Sequence, residues 1–256
     1  MNIFNYILPS LPDGKVVSVN IGLFWTAVVV ERNGIQRCGL SATLTNPEFE
    51  NARIPAVEKA GRLEEMSALN LASWVFSKSY TEAGVGLAAI NALIPPIDHS
   101  SNLAAEDFIA QQGHDKQIAL IGHFPFVPRL KEQVKKLWVL ELNPQEGDLP
   151  ASDAPEVIPQ ADILAVTATT LINHTFENIF NLRKPGAKVL LIGPSTPLSP
   201  LLFQYGIDVL SGCLVEDPQK VLPLVCQGAT FRQIRNHGVR LITAEAYSTV
   251  TVMENP

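Results

Sequence analysis

Clustered basic residues are missing from this chain of 256 residues, whose formal charge is −6. Without a Lys/Arg-rich run it has no surface built for phosphate contacts, so nucleic acid is not an expected partner and a small or cationic ligand fits better. Cysteine is scarce: Cys38, Cys213 and Cys226 show no paired spacing and no CxxC. Neither a disulfide framework nor a closed zinc site is signalled, and a reducing cytoplasm is the expected compartment. No apolar run reaches the about 18 residues of a membrane span, and the opening MNIFNYILPSLPDGK has no basic region ahead of an apolar core. A soluble, unprocessed protein with no membrane contact is therefore expected. GxSxG, HExxH and Walker A motifs are also absent, which leaves the common hydrolase, metalloprotease and nucleotide triphosphatase readings without support.

What is present is an apolar share of 46%, enough to fill the core of one large domain or two modest ones. Lys15–Asn20, Leu23–Glu31 and Ile35–Ala42 read as an antiparallel meander, with Arg32-Asn33-Gly34 as a turn signal. Thr43–Glu65 carries scattered charge without periodicity and reads as a loop with at most a short helix. Ser67–Phe76 has helical spacing. Ser79-Tyr-Thr-Glu82 then has the form of a capping box opening a helix to about Leu93, rich in Gly84, Gly86, Ala88 and Ala89. Tight helix-on-sheet packing is the preferred explanation of those small residues. The polar stretch Asp98–Asp115 reads as a domain boundary.

From Gln117 strands and helices alternate: Gln117–Ile121, Leu137–Leu142, Asp162–Val166, Val189–Ile192 and Asp208–Leu214 as strands, Val127–Lys135 and Pro218–Gln227 as helices. That alternation predicts a parallel, Rossmann-like αβα sheet, separate from the antiparallel N-terminal one. Ligands of such sheets bind outside the carboxyl ends of the strands. The stretch Asp162–Ser199 organises the chain, and its exits Thr167–Thr170 and Gly193–Thr196 are expected side by side.

The candidate site follows from that rule. The first strand–helix turn reads IGHFPFVP, with Gly122 as its lone glycine, so a standard dinucleotide site is disfavoured. Glu141 lies nineteen residues beyond Gly122, close to the about 20-residue offset at which such folds hold a ribose. A plain strand-end carboxylate is an equal alternative. His123 at the mouth of the crevice has three open roles: general base, metal ligand or hydrogen-bond partner. Phe124 and Phe126 offer rings for stacking or simply cover the sheet edge. Thr169, Thr170 and Asn173 supply side-chain donors at a helix start, and Pro194 and Pro197 stiffen the loop that carries Ser195 and Thr196. His174 reads as a surface or packing histidine within a helix, and Cys38 as a small buried hydrophobe. One pocket uniting the loops 122–124, 167–173 and 193–196 with Glu141 is expected, closed by the N-terminal part and supplied with free amides by the helices that follow the strands.

GLFWTAV, EAGVGLAAINAL, IGHFPFVP and ADILAVTATTLINHTFENIFNLRKPGAKVLLIGPSTPLSPLLFQYGIDVLSG together resemble the DUF364 family, whose label is heavy-metal chelation. The resemblance runs over nearly the whole chain. It implies an α/β protein: an N-terminal α+β domain similar to the enolase N-terminal fold (residues 1–105), then a Rossmann-like parallel αβα sheet (residues 106–256), with a cleft between. It also implies handling of a pterin-, flavin- or siderophore-like metabolite, and Gly122, His123, Phe124, Glu141, Thr169, Thr170, Asn173 and Pro194 to Thr196 as cleft positions, with Ser79 and Glu82 more remotely. Three readings stay open: an enzyme acting on such a metabolite with His123 as its catalytic group, a non-catalytic binder of a metal or metal chelate, and an S-adenosylmethionine-dependent methyltransferase with Glu141 on the ribose. No cofactor, metal or oligomeric state is assigned; the expected partner is a small molecule, a metal chelate among the options, and self-association is open.

Overall fold

The computed structural model describes residues 2–50, 54–97 and 100–246. The N-terminal meander comprises Lys15–Ile21 (β1), Trp25–Arg32 (β2) and Ile35–Ala42 (β3), all antiparallel. The later strands are Gln117–Ile121 (β4), Lys136–Glu141 (β5), the two-residue Leu149–Pro150 (β6), Ile163–Thr167 (β7), Lys188–Ile192 (β8), Val209–Val215 (β9) and Val239–Glu245 (β10). They run in the order β9-β8-β7-β4-β5-β6 with every neighbouring pair parallel, and β10 lies antiparallel along the whole of β9. The order reverses at β4 and β7, which makes their carboxyl ends a topological switch point, where α/β sheets bind ligands.

The N-terminal sheet is not separate, contrary to the expectation from the sequence. Cys38 of β3 pairs with Val215 of β9, and the two parts form one ten-stranded sheet holding both Val16–Val19 and Val189–Ile192. The reason is a difference of strand length. β10 takes one flank of β9 from Val209 to Val215, whereas β8 takes only Val209–Ser211 of the other, so the far end of that flank is free to accept β3. A strand edge left with unpaired N–H and C=O groups is a template for further pairing.

Both faces of the parallel strands are buried, which explains their unbroken aliphatic runs. Along β4, Ala119 and Ile121 face one apolar cluster while Ile118 and Leu120 face another, as alternation across a strand requires. The first cluster is continuous across the chain, joining Val28, Leu87 and Ile90 to Leu164, Val166 and Leu191.

The Tyr80–Leu93 helix is buried on almost every side and packs on β2 and β3. Its small residues are there for close approach. A Cβ at Gly39 of β3 would fall 2.0 Å from the Ala88 carbonyl oxygen, and the absence of one at Gly84 and Gly86 likewise lets this helix touch the Ala42 carbonyl and the backbone at Val75. Ser79 caps it, its hydroxyl accepting from the Glu82 N–H. The stretch 98–115, read as a boundary, carries the helix Ala105–Gly113, whose Phe108 and Ile109 belong to the second apolar cluster; Asp98 and His99 lie outside the described residues. Among the described residues no helix is long and apolar enough to cross a membrane.

Candidate functional site

Two glycines end the strands on which the site rests. Gly122 after β4 and Gly193 after β8 adopt φ values of 99° and 108°, open to glycine and strained for other residues. Phe124 uses the space. A Cβ at Gly122 would lie 3.5 Å from Cε2 of its ring, and one at Gly193 4.0 Å from Cε1, so one ring spans both strand exits.

That ring, with Thr167 and Thr169, divides the carboxyl edge into two cavities instead of the one expected. The first, of about 500 Å³, takes Gly122, His123, Phe124, Glu141, Thr169, Thr170 and Asn173. The second, of about 580 Å³, takes Phe124, Thr169, Pro194 and Ser195. Thr196 lines neither; it is buried and its hydroxyl has no partner among the described residues. The N-terminal part reaches only the second cavity, through Trp25, Ala104 and Ala105; β9, β8 and β7 stand between β3 and β4. The walls of the first come wholly from residues 121–182. Free helix amides contribute less than expected, since the helices after β4 and β7, Val127–Lys131 and Thr169–Ile172, are only about one turn long and carry little dipole.

The first cavity contains a polarised histidine. β6 pairs Leu149 with Leu140, and this short ladder sets Asp148 against the loop that leaves β4. Nδ1 of His123 is 2.8 Å from Oδ2 of Asp148, whose side chain is 0% exposed against 24% for the histidine. Oδ2 also accepts the Gln145 N–H at 3.1 Å, and Oδ1 is buried without a partner. An acceptor-only carboxylate on Nδ1 fixes the neutral ring as the Nδ1–H tautomer and leaves Nε2 as its basic nitrogen. Nε2 has no hydrogen bond among the described residues. Asp148 was not legible beforehand: it lies in a polar turn twenty-five residues after His123, and only the β5–β6 pairing brings the two together.

Glu141 turns out to hold the backbone. Its Oε2 accepts the His123 N–H at 2.9 Å and its Oε1 the Leu142 N–H at 2.8 Å, clamping the β4 exit to the end of β5. Thr170 donates to the Thr167 carbonyl at 2.6 Å, closing its own turn, and Thr169 shares a 3.0 Å bond with the Thr167 hydroxyl. Asn173 accepts from the Thr175 hydroxyl at 2.7 Å, which leaves its amide NH2 as a donor without a partner among the described residues.

Ser195 stitches the halves of the chain. Its hydroxyl accepts the Ala42 N–H at 2.8 Å, and its carbonyl accepts from Asn91, which also donates to the Leu40 carbonyl. Ser79 and Glu82 line neither cavity; Glu82 accepts from the Glu58 N–H at 2.7 Å and from the Ser77 hydroxyl, tying down the loop before its helix. His174 is not within a helix as expected: it occupies a left-handed turn (φ 59°) and its Nε2 is 2.8 Å from the Ser77 carbonyl oxygen. Cys38 is the buried hydrophobe expected, and burial pushes its thiol, like that of Cys213, up to about 12.

A bare heavy metal does not fit this donor set. Among the described residues no group of three or more His, Cys, Asp and Glu is placed to hold one.

Sheet order, switch point and strand-end cavities define a Rossmann-like α/β protein extended by an antiparallel meander. The chain belongs to the DUF364 family: the model of that family, described as "Putative heavy-metal chelation", matches residues 105–243, and a companion model with the same description, DUF4213, matches residues 4–94. It is similar to an uncharacterised protein of Methanocaldococcus jannaschii, with 27% identity over 218 residues and 82% of each chain covered. A DUF364 protein of unknown function from Desulfitobacterium hafniense DCB-2 has a solved structure at a TM-score of 0.81 and 26% identity, covering 95% of this chain and 97% of that one. One from Pyrococcus horikoshii, at 23% identity with the same coverage, has a TM-score of 0.78 and speaks for the fold alone.

Proposed function

We propose that this protein is an enzyme that takes a small heterocyclic metabolite of metal-chelating type, pterin-, flavin- or siderophore-like, at the carboxyl edge of the sheet, with His123 moving a proton on it. The observation that carries the reading is the His123–Asp148 pair in the wall of the first cavity, a buried carboxylate on one ring nitrogen and no partner on the other. That is the arrangement of a general base held in one tautomer. The Thr169 hydroxyl and the Asn173 amide orient the ligand. Residues 1–105 and 106–256 act as two units flanking the second cavity. The metal arrives bound to the small molecule, because the described residues offer a bare ion no cluster. Free cysteines suit the reducing cytoplasm as the place of work.

Methyl transfer from S-adenosylmethionine is the weaker reading. Both oxygens of Glu141, the residue that would hold the ribose, already accept backbone N–H groups.

Native mass spectrometry of freshly purified protein, before and after denaturing extraction, tests the proposal. The expected result is a small molecule released on extraction, with any metal leaving alongside it. A bare divalent ion that stays on the folded protein after all small molecules are dialysed away, and is lost in His123→Ala, would overturn it.

A further inference from the structure

The second cavity has a chemistry of its own. Its walls bring together two aromatic pairs: Phe124 stacked on Phe126 at 5.0 Å with planes 17° apart, and Trp25 against Phe231 at 5.2 Å. Trp25 keeps its indole N–H buried with no acceptor among the described residues. Arg232 and Arg235 lie on the rim, both exposed, one turn apart on the short Phe231–Ile234 helix and just beyond it. Neither guanidinium forms an ion pair or hydrogen bond among the described residues. Glu106, the acid of this cavity, is engaged with Arg129. The balance is therefore flat apolar walls and two cations that are unpaired among the described residues.

We infer that this cavity is a binding site for a planar aromatic anion, an aryl carboxylate or its equivalent. The ring lies against the Phe124–Phe126 and Trp25–Phe231 faces, where aromatic surface gains both area burial and favourable edge or offset contacts. The carboxylate meets Arg232 and Arg235, whose planar forks match its two oxygens. A volume of about 580 Å³ suits a fused bicyclic ring system. The inference does not depend on turnover at His123, which lies in the other cavity beyond the Phe124 partition.

Isothermal titration with 2-naphthoate as the probe and 2-naphthamide as its neutral counterpart tests this on the full chain. The wild type should bind one 2-naphthoate, at least about tenfold more tightly than the amide and less tightly as salt rises. Arg232→Gln/Arg235→Gln should lose that about tenfold preference while still binding the amide, and circular dichroism should show the variant folded, since both side chains are exposed. His123→Ala should bind 2-naphthoate as the wild type does. Absence of 2-naphthoate binding, equal affinity for acid and amide, an unchanged preference in the double variant, or loss of binding in His123→Ala would each overturn the inference.

Discussion

Asp148 Oδ2 lies 2.8 Å from Nδ1 of His123, and the carboxylate is fully buried while the imidazole is not. The ring of a free histidine favours no such fixed tautomer, so the pair has a direct spectroscopic signature. Long-range ¹H–¹⁵N correlation of the neutral His123 ring should show Nδ1 protonated and Nε2 bare. Asp148→Ala should release that preference. A wild-type ring with the proton on Nε2 would remove the base from the first cavity.

Glu141→Ala should cost stability as well as shape. A lone strand-end acid would be expected to cost little, but its two oxygens hold the N–H groups of His123 and Leu142. Removing both bonds should destabilise by roughly 1–2 kcal/mol, a fall of about 2–8 °C in Tm for a chain of this size. Calorimetry checks it. An unchanged Tm would show that water replaces the carboxylate at no cost.

Gly39→Ala should be the more damaging change. The added carbon would fall 2.0 Å from the Ala88 carbonyl oxygen and 2.4 Å from the Ala92 nitrogen, both backbone atoms of a buried helix that has no direction in which to move. A loss of about 3 kcal/mol, or failure to accumulate folded protein, is expected. Denaturant unfolding measures it, and a wild-type midpoint would contradict the packing of the Tyr80–Leu93 helix on β3.

The cysteines should separate by reactivity. Burial pushes Cys38 and Cys213 up to about 12, so at pH 8 only about one in ten thousand of either is thiolate, whereas Cys226 is exposed. Ellman's reagent should therefore titrate one thiol quickly in the native protein and three after unfolding. Raising the pH should speed Cys38 and Cys213 by up to about tenfold per unit until it reaches about 12. Three fast thiols at pH 8 would contradict the desolvation of Cys38 and Cys213.

Much of the frame was legible because it is local. The aliphatic run Val189–Ile192, the hydroxyl-rich exits and the glycines at 122 and 193 mark strands and their ends by composition alone. The features that escaped depend on pairing across the fold. β10 and the two-residue β6 carry no run long enough to stand out, and with β6 went Asp148. The join of β3 to β9 depends on how far β8 extends, a matter of relative strand length and not of sequence pattern. Glu141 and Ser195 were singled out as polar groups at the right edge, and their bonds to backbone N–H groups could not be read from position. The split of one expected pocket into two follows from a single ring, Phe124, settling over two glycines seventy-one residues apart.

Crystals soaked separately with pterin, lumichrome and 2,3-dihydroxybenzoate test the central claim most directly, because they locate the ligand. Density for at least one of them is expected in the first cavity, with a polar ligand atom within hydrogen-bonding reach of His123 Nε2 and the ring edge near Thr169 and Asn173. Density for these molecules only outside that cavity, with His123 Nε2 facing ordered solvent throughout, would contradict it.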